Sequence, residues 1–300
     1  MQILWLLGAM TLAALLSLVL TPLDFRAAQS LGAIDLPKDN RRMHTRPIPR
    51  LGGLSVFFSF LVLTVIYDFK IASDLFFLWS GAILIVLVGV LDDRLSLPPA
   101  LKLAAQCVAA YVSTMGGGLL RLLPFGKETI SLGLFSLPLT ILFLVTLINA
   151  HNFIDGLDGL CAGVSFGESI ALGCLCLGTS SEYAAAAFLL GGACLGFLPY
   201  NLGGARLFLG DTGSTFLGFT LAAIAVRTVD RPVTLLLLFA LPLADLCFAV
   251  IRRLLSGKNP LLPDRSHLHH LLADRLGASY ASKLLCFAAA FTALIAVLIS

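Results

Sequence analysis

Ten apolar stretches, each close to the length of a membrane span, restrict what this chain can become. They cover residues 3–20, 51–67, 74–91, 99–115, 137–151, 160–178, 184–200, 214–229, 233–251 and 281–299. A helix needs roughly 17–25 mainly apolar residues to cross the hydrocarbon core of a bilayer. Backbone groups in that core must be satisfied within the segment, which favours helices for runs of this length. The composition agrees, with 58% hydrophobic and only 12% charged residues, whereas soluble domains carry about 25% charged residues. The pattern predicts an all-α polytopic membrane protein with about ten transmembrane helices, forming one integral membrane domain over residues 1–300. The first stretch has no basic residue ahead of it and no small-residue cleavage site, so it reads as a spanning helix rather than a signal peptide. The seven cysteines (107, 161, 174, 176, 194, 247 and 286) lie in or beside apolar segments. Odd in number, they read as small buried hydrophobes rather than a disulfide framework or zinc site.

A net charge of +3 is too small to argue for nucleic acid. Its distribution is more informative. Loops after odd-numbered stretches, counted with Lys102 and Lys283, carry 15 Lys and Arg; the opposite side carries 5, namely Lys70, Arg121, Lys127, Arg227 and Arg231. The positive-inside rule places the richer face in the cytoplasm and both termini outside. The outer loop from Gly116 to Ser136, with its run Glu128-Thr-Ile-Ser-Leu, reads as a short hairpin. The other conspicuous polar clusters fall on the cytoplasmic side, which favours a cleft at the inner leaflet over a conduction path.

The densest cluster is Asn149-Ala-His-Asn152-Phe-Ile-Asp155-Gly-Leu-Asp158-Gly-Leu160, set between two apolar runs. Two amides and two carboxylates, each three residues apart, fall along one side of a helix end. Ordinary caps use the same residue types, but four ligand-type side chains in ten residues exceed what capping needs. Polar groups beside membrane-length segments are costly unless they face a cavity, a cation or each other. Asp92 and Asp93 end the third stretch. Adjacent carboxylates repel and are relieved by a cation or a shared proton, although an Asp–Arg pair with Arg94 accounts for them equally well. Lys102 is placed to reach back toward them, or to snorkel. In Phe208-Leu-Gly210-Asp211-Thr-Gly213-Ser214, carboxylate, hydroxyls and free N–H groups meet at a helix N-terminus, where a phosphate or metal can bind and a plain N-cap also fits. Phe208 offers a flat face for a base.

The first cytoplasmic loop holds Arg46 in Arg46-Pro-Ile-Pro-Arg50-Leu-Gly52-Gly53, where basic residues attract an anionic lipid or nucleotide, or merely set topology. Arg265, His267, His269 and His270 suggest zinc at first sight, but no Cys or convincing fourth ligand accompanies them. They read better as donors to sugar or phosphate oxygens. Within the spans, Asp245 is a functional candidate placed with Arg252 to line the cavity. Glu168 reads as a buried, hydrogen-bonded acid.

Together, in this order from about Gly32 to His270, these motifs resemble the polyprenyl-phosphate N-acetylhexosamine-1-phosphate transferases, and most of all the branch acting on UDP-N-acetylglucosamine and undecaprenyl phosphate. Arg46-Pro-Ile-Pro-Arg-Leu-Gly-Gly and His267-Leu-His-His carry that likeness. The Pro-Thr-Met-Gly-Gly stretch and longer His run of the muramoyl-pentapeptide branch are absent. The resemblance implies a bacterial inner-membrane enzyme that starts envelope glycan synthesis (cell wall, lipopolysaccharide O-antigen or teichoic acid). Its partners would be a UDP-sugar and a polyprenyl phosphate, and it admits a homodimer. It implies Mg²⁺, with Mn²⁺ as a substitute, held by Asp211 and Asn152. Asp92 and Asp93 would orient or deprotonate the lipid phosphate, and Lys102 would hold the diphosphate. Phe208, Asp155 and Asp158 would bind uridine; Arg265, His267, His269 and His270 would bind sugar and phosphate; Asn149, Arg46 and Asp245 would support them. The competing class is a membrane transporter, against which stand the lack of an inverted repeat and the one-sided polar motifs.

Overall fold

The computed structural model describes residues 2–37, 46–67, 73–125, 128–257 and 267–300. Twelve helices account for most of them: α1 (Gln2–Leu31), α2 (Gly53–Tyr67), α3 (Ser73–Leu95), α4 (Pro99–Thr114), α5 (Ser136–Ile154), α6 (Leu160–Cys176), α7 (Ser181–Asn201), α8 (Gly210–Thr228), α9 (Pro232–Leu238), α10 (Ala240–Leu255), α11 (Leu268–Leu276) and α12 (Ala278–Ile299). Two short antiparallel pairs complete the fold. β1 (Ile34–Asp35) pairs with β2 (Ile48–Pro49), and β3 (Leu122–Phe125) pairs with β4 (Glu128–Ser131), the hairpin read from the loop before α5.

Each of the ten apolar stretches is helical, and about half of them form single helices of full spanning length. Among the described residues, five helices are long and apolar enough to cross a membrane: Ile3–Leu31, Leu75–Leu95, Gly133–Ile154, Ser181–Asn201 and Ala278–Ile299. A sixth is counted if α9 and α10, bent by 83°, form one broken span. The bend has a covalent cause. Pro242 has no N–H to continue the ladder from Leu238, so the helix restarts after Phe239 (φ −106°, ψ 26°). α2 and α6 are apolar but shorter, and α8 opens with the polar sequence Gly-Asp-Thr-Gly-Ser-Thr.

α8 is the axis of the bundle. Nearly all of it from Gly210 to Val226 is buried, packed chiefly against α3 and α5 and also touching α2 and α6. Apolar side chains have no hydrophobic drive to associate in lipid, so close backbone contact between small residues matters more. A Cβ on Gly53 of α2 would strike the Gly213 backbone, and one on Gly89 of α3 would lie 2.5 Å from the Thr212 Cα. Large apolar side chains of α1, α3 and α12, such as Trp5, Phe76, Leu87 and Phe287, instead point outward. The bundle is an all-α membrane protein with its smallest residues at the axis.

Several helices begin against an acid or amide from elsewhere in the chain. An N-terminus leaves unpaired N–H groups and a partial positive charge, which a carboxylate satisfies. Asp24 of α1 accepts from the Ser55 N–H at the start of α2 (3.0 Å). Asp93 serves α8, Asp245 serves α11, and Asn201 accepts from the Gly159 N–H at the start of α6 (2.9 Å). These cross-links bring the polar helix ends together.

Candidate active site

A cavity of about 540 Å³ opens where those ends meet. It is lined by Arg46, Arg50, Asp35, Asn152, Asp155, Asp158, Phe208, Asp211 and His270, among others. Its walls follow from local structure. The Gly52 and Gly53 N–H groups donate to the carbonyls of Phe208 and Leu209 (3.0 and 2.9 Å), and the Phe208 N–H donates to the Pro49 carbonyl (2.9 Å). The shaped Arg46–Gly53 stretch is thus a strap that sets Phe208 beside Arg50. Opposite it, Asp158 accepts from the Ala205 N–H at 2.8 Å, drawing the α5–α6 turn against the α7–α8 loop.

Asp211 stands at a junction. It lines the large cavity and also a crevice between α3, α4 and α8 shared with Asp92, Lys102 and Gln106. Lys102 Nζ donates to Asp92 Oδ2 at 2.8 Å and to Asp211 Oδ2 at 2.9 Å. It therefore bridges Asp92 and Asp211, whereas the sequence pointed it at Asp92 and Asp93. The adjacent acids do not both face Lys102, because neighbours on a helix point about 100° apart. Asp92 also accepts from the Leu97 N–H (2.7 Å). Asp93 turns inward, where its oxygens accept from the N–H groups of Asp211 and Thr212 (3.0 Å each) and the Thr212 hydroxyl (2.7 Å). Gly210 makes this fit possible. Its φ is +75°, and a Cβ there would lie 2.5 Å from Asp93 Oδ2.

Asn152 donates to Ser214 Oγ at 2.9 Å, fixing its amide beside the start of α8. Withdrawal from water, then the nearby Asp211 and Asp93 charges, push the pKa of Asp155 well above the usual carboxylate range. Carboxylates crowded in this way are relieved by a cation. The oxygens of Asp211 and Asn152, with Asp155 on the same cavity, are a hard donor set that fits Mg²⁺.

The remaining candidates divide. Arg46 and His270 line the cavity. Asn149 does not, and exchanges amide hydrogen bonds with Gln106 (2.7 and 3.5 Å). Asp245 also lies off the cavity, as does Arg252, contrary to the expectation that both line it. The carboxylate of Asp245 is instead taken up by His267 Nδ1 (2.7 Å) and His269 Nδ1 (3.1 Å). These three groups lie within 4.8 Å of one another, a spacing that admits a metal. Their facing atoms already bond each other and Arg253 lies 3.3 Å from His267, so the cluster is a hydrogen-bond network. Glu168 meets His151 at 2.7 Å, both fully buried, as a bonded internal acid. Arg265 lies outside the described residues.

Arg50, read from the sequence only as one of the loop's basic residues, lines the cavity, pairs with Asp35 at 3.1 Å and stands 3.8 Å from Asp93. Sequence reasoning missed Asn201, at the end of α7, and Gln106, one turn along α4 from Lys102. The Arg50–Asp35 pair becomes legible only once β1 and β2 are known to pair.

The fold and cavity define a membrane protein whose polar site gathers acids, amides and cations at converging helix ends. The profile of glycosyl transferase family 4 matches residues 75–229. A probable undecaprenyl-phosphate N-acetylglucosaminyl 1-phosphate transferase from Bacillus subtilis is 33% identical, over 88% of this chain and 76% of its own length. The undecaprenyl-phosphate alpha-N-acetylglucosaminyl 1-phosphate transferase of Escherichia coli K12 is 34% identical, over 91% and 78%. A decaprenyl-phosphate N-acetylglucosaminephosphotransferase from Mycobacterium tuberculosis is 34% identical, over 82% and 70%. The chain belongs to glycosyl transferase family 4, together with these polyprenyl-phosphate N-acetylglucosamine-1-phosphate transferases.

Proposed function

We propose that this protein transfers N-acetylglucosamine-1-phosphate from UDP-N-acetylglucosamine to undecaprenyl or another polyprenyl phosphate, releasing UMP. The observation that carries this reading is the position of Asp211, between a polar cavity of nucleotide-sugar size and the Asp92–Lys102 crevice. Outside that crevice, Leu87, Leu91, Leu101 and Leu103 of α3 and α4 are exposed and apolar. A prenyl chain lies against that surface with its phosphate at the mouth of the crevice, beside Asp92 and Lys102.

In the reaction, an oxygen of the lipid phosphate becomes bonded to the β-phosphorus of the UDP-sugar. The bond from that phosphorus to the UMP oxygen breaks. Both reactants are anionic, so positioned positive charge must offset their repulsion. Lys102 supplies one such charge between Asp92 and Asp211, and Arg50 and Arg46 face the cavity with two more. Asp92 orients or deprotonates the lipid phosphate. Asp93 acts one step back, holding the backbone of Asp211 and Thr212. Phe208 stacks on uracil, and Asp155 and Asp158 hold the uridine. Mg²⁺ on Asp211 and Asn152, with Mn²⁺ as a substitute, would neutralise charge on the diphosphate.

The same reading proposes ten spans in all, the shorter helices completing the bundle, with the cavity cytoplasmic and both termini external in a bacterial inner membrane. The test is turnover by purified protein with undecaprenyl phosphate and a panel of UDP-GlcNAc, UDP-GalNAc and the muramoyl-pentapeptide nucleotide. Highest kcat/KM with UDP-GlcNAc supports the proposal. Preference for another donor would move the sugar assignment, and no lipid-linked product with any donor would overturn the reading.

A further inference from the structure

The three clustered histidines do not share one environment. Asp245, buried in α10, receives three donors: His267 Nδ1 at 2.7 Å, His269 Nδ1 at 3.1 Å and the His269 backbone N–H at 3.2 Å. An ionised carboxylate only accepts, and that assigns the proton of each imidazole facing it to Nδ1. His267 Nε2 lies 3.3 Å from an Arg253 nitrogen, which can only donate, so this Nε2 is the acceptor and both nitrogens of His267 are engaged. Phe153 covers the same ring at 5.2 Å. His269 is buried with its Nε2 against Gly156, where any Cβ would lie 2.5 Å away. His270, the next residue, lines the cavity, and its ring lies 4.3 Å from that of His269.

We propose that Asp245 is a positioning residue that fixes the tautomer and rotation of His267 and His269, so that of the three clustered histidines it is His270 that meets the substrate. Asp245 also caps α11 through the His269 N–H, so one carboxylate sets both the start of the helix and the direction of its first side chains. The inference rests on the proposed transferase reading for the identity of that substrate, but not for the clamp itself.

Two isosteric substitutions separate clamping from contact. An Asn amide nitrogen stands near the place of imidazole Nδ1, and a Gln amide nitrogen near Nε2. If Asp245 clamps through Nδ1, His267→Asn and His269→Asn keep the KM for UDP-GlcNAc within about threefold of wild type. The Gln variants and Asp245→Asn then raise it about tenfold, the usual scale for one lost hydrogen bond to a charged group. His270→Ala raises KM while leaving the Tm unchanged. The reverse order at position 269, with Gln preserving KM and Asn losing it, would show Nε2 contacting substrate and overturn the proposal. A second readout needs neither turnover nor a variant. Nitrogen-15 NMR of the wild-type protein in detergent must show Nδ1–H tautomers for His267 and His269, and Nε2–H tautomers would overturn the clamp. Should the wild type turn over no UDP-sugar while those tautomers are present, the substrate assignment fails and the clamp stands.

Discussion

Asp211, Lys102 and Asp92 form a chain of opposite charges within hydrogen-bond reach, and each residue near them is set apart by what its atoms already hold. Asp211 keeps one oxygen on Lys102 and faces the cavity. Asp211→Asn is therefore expected to abolish turnover while the folded protein elutes as wild type, and near-normal activity at saturating Mg²⁺ would exclude it as a metal ligand. Phe208 is expected to matter mainly before the chemical step, since the uridine changes little as the diphosphate reacts. Base stacking contributes about 1–3 kcal/mol, so Phe208→Ala should raise KM for the UDP-sugar roughly ten- to a hundred-fold and weaken UMP inhibition in parallel. Asp92→Asn should instead lower kcat with UMP binding close to wild type. Equal UMP affinity in Phe208→Ala and wild type would move the uracil pocket elsewhere.

At the scale of elements, α8 is held by its first turn and by its smallness. Asp93 satisfies two backbone N–H groups and a hydroxyl there. Asp93→Ala should cost about 2–3 kcal/mol, the scale of a lost cap with buried donors left unpaired. Thermal unfolding in detergent measures it, and a Tm equal to wild type would contradict the capping role. How much of this is legible beforehand depends on distance along the chain. The acid-and-amide stretch from Asn149 to Asp158, the isolated Asp211 and the hairpin before α5 announce themselves locally, through spacing and flanking glycines. The helix positions also follow from apolar length. Lys102 and Asp211 are 109 residues apart and Asp93 and Thr212 are 119 apart, and no local period encodes either pairing. The division of labour between Asp92 and Asp93 is half legible, because helix geometry forbids adjacent residues from facing one partner, but which of them faces inward depends on α8. The number of spans is legible only in part for a similar reason. Apolar length marks α2 and α6 as buried segments, without stating whether lipid or neighbouring helices cover them.

For the whole molecule, the proposed topology, which follows the uneven distribution of Lys and Arg, has the site open to the cytoplasm and reached sideways from the bilayer. Cysteines placed singly at positions 155 and 257, the latter exposed after α10, in a background without native Cys, should resist an impermeant thiol reagent on intact cells and react after permeabilisation. Labelling from outside would reverse the topology. What moves between the two substrates separates two kinds of transfer. Transfer of a sugar phosphate carries the β-phosphorus to the lipid, whereas transfer of the sugar leaves that phosphorus on the nucleotide. The most direct measurement is turnover of UDP-N-acetylglucosamine labelled with ³²P at the β-position, with undecaprenyl phosphate as acceptor. Label in the organic-extractable lipid together with unlabelled UMP is the predicted result; label retained in UDP, with unlabelled lipid product, would contradict it.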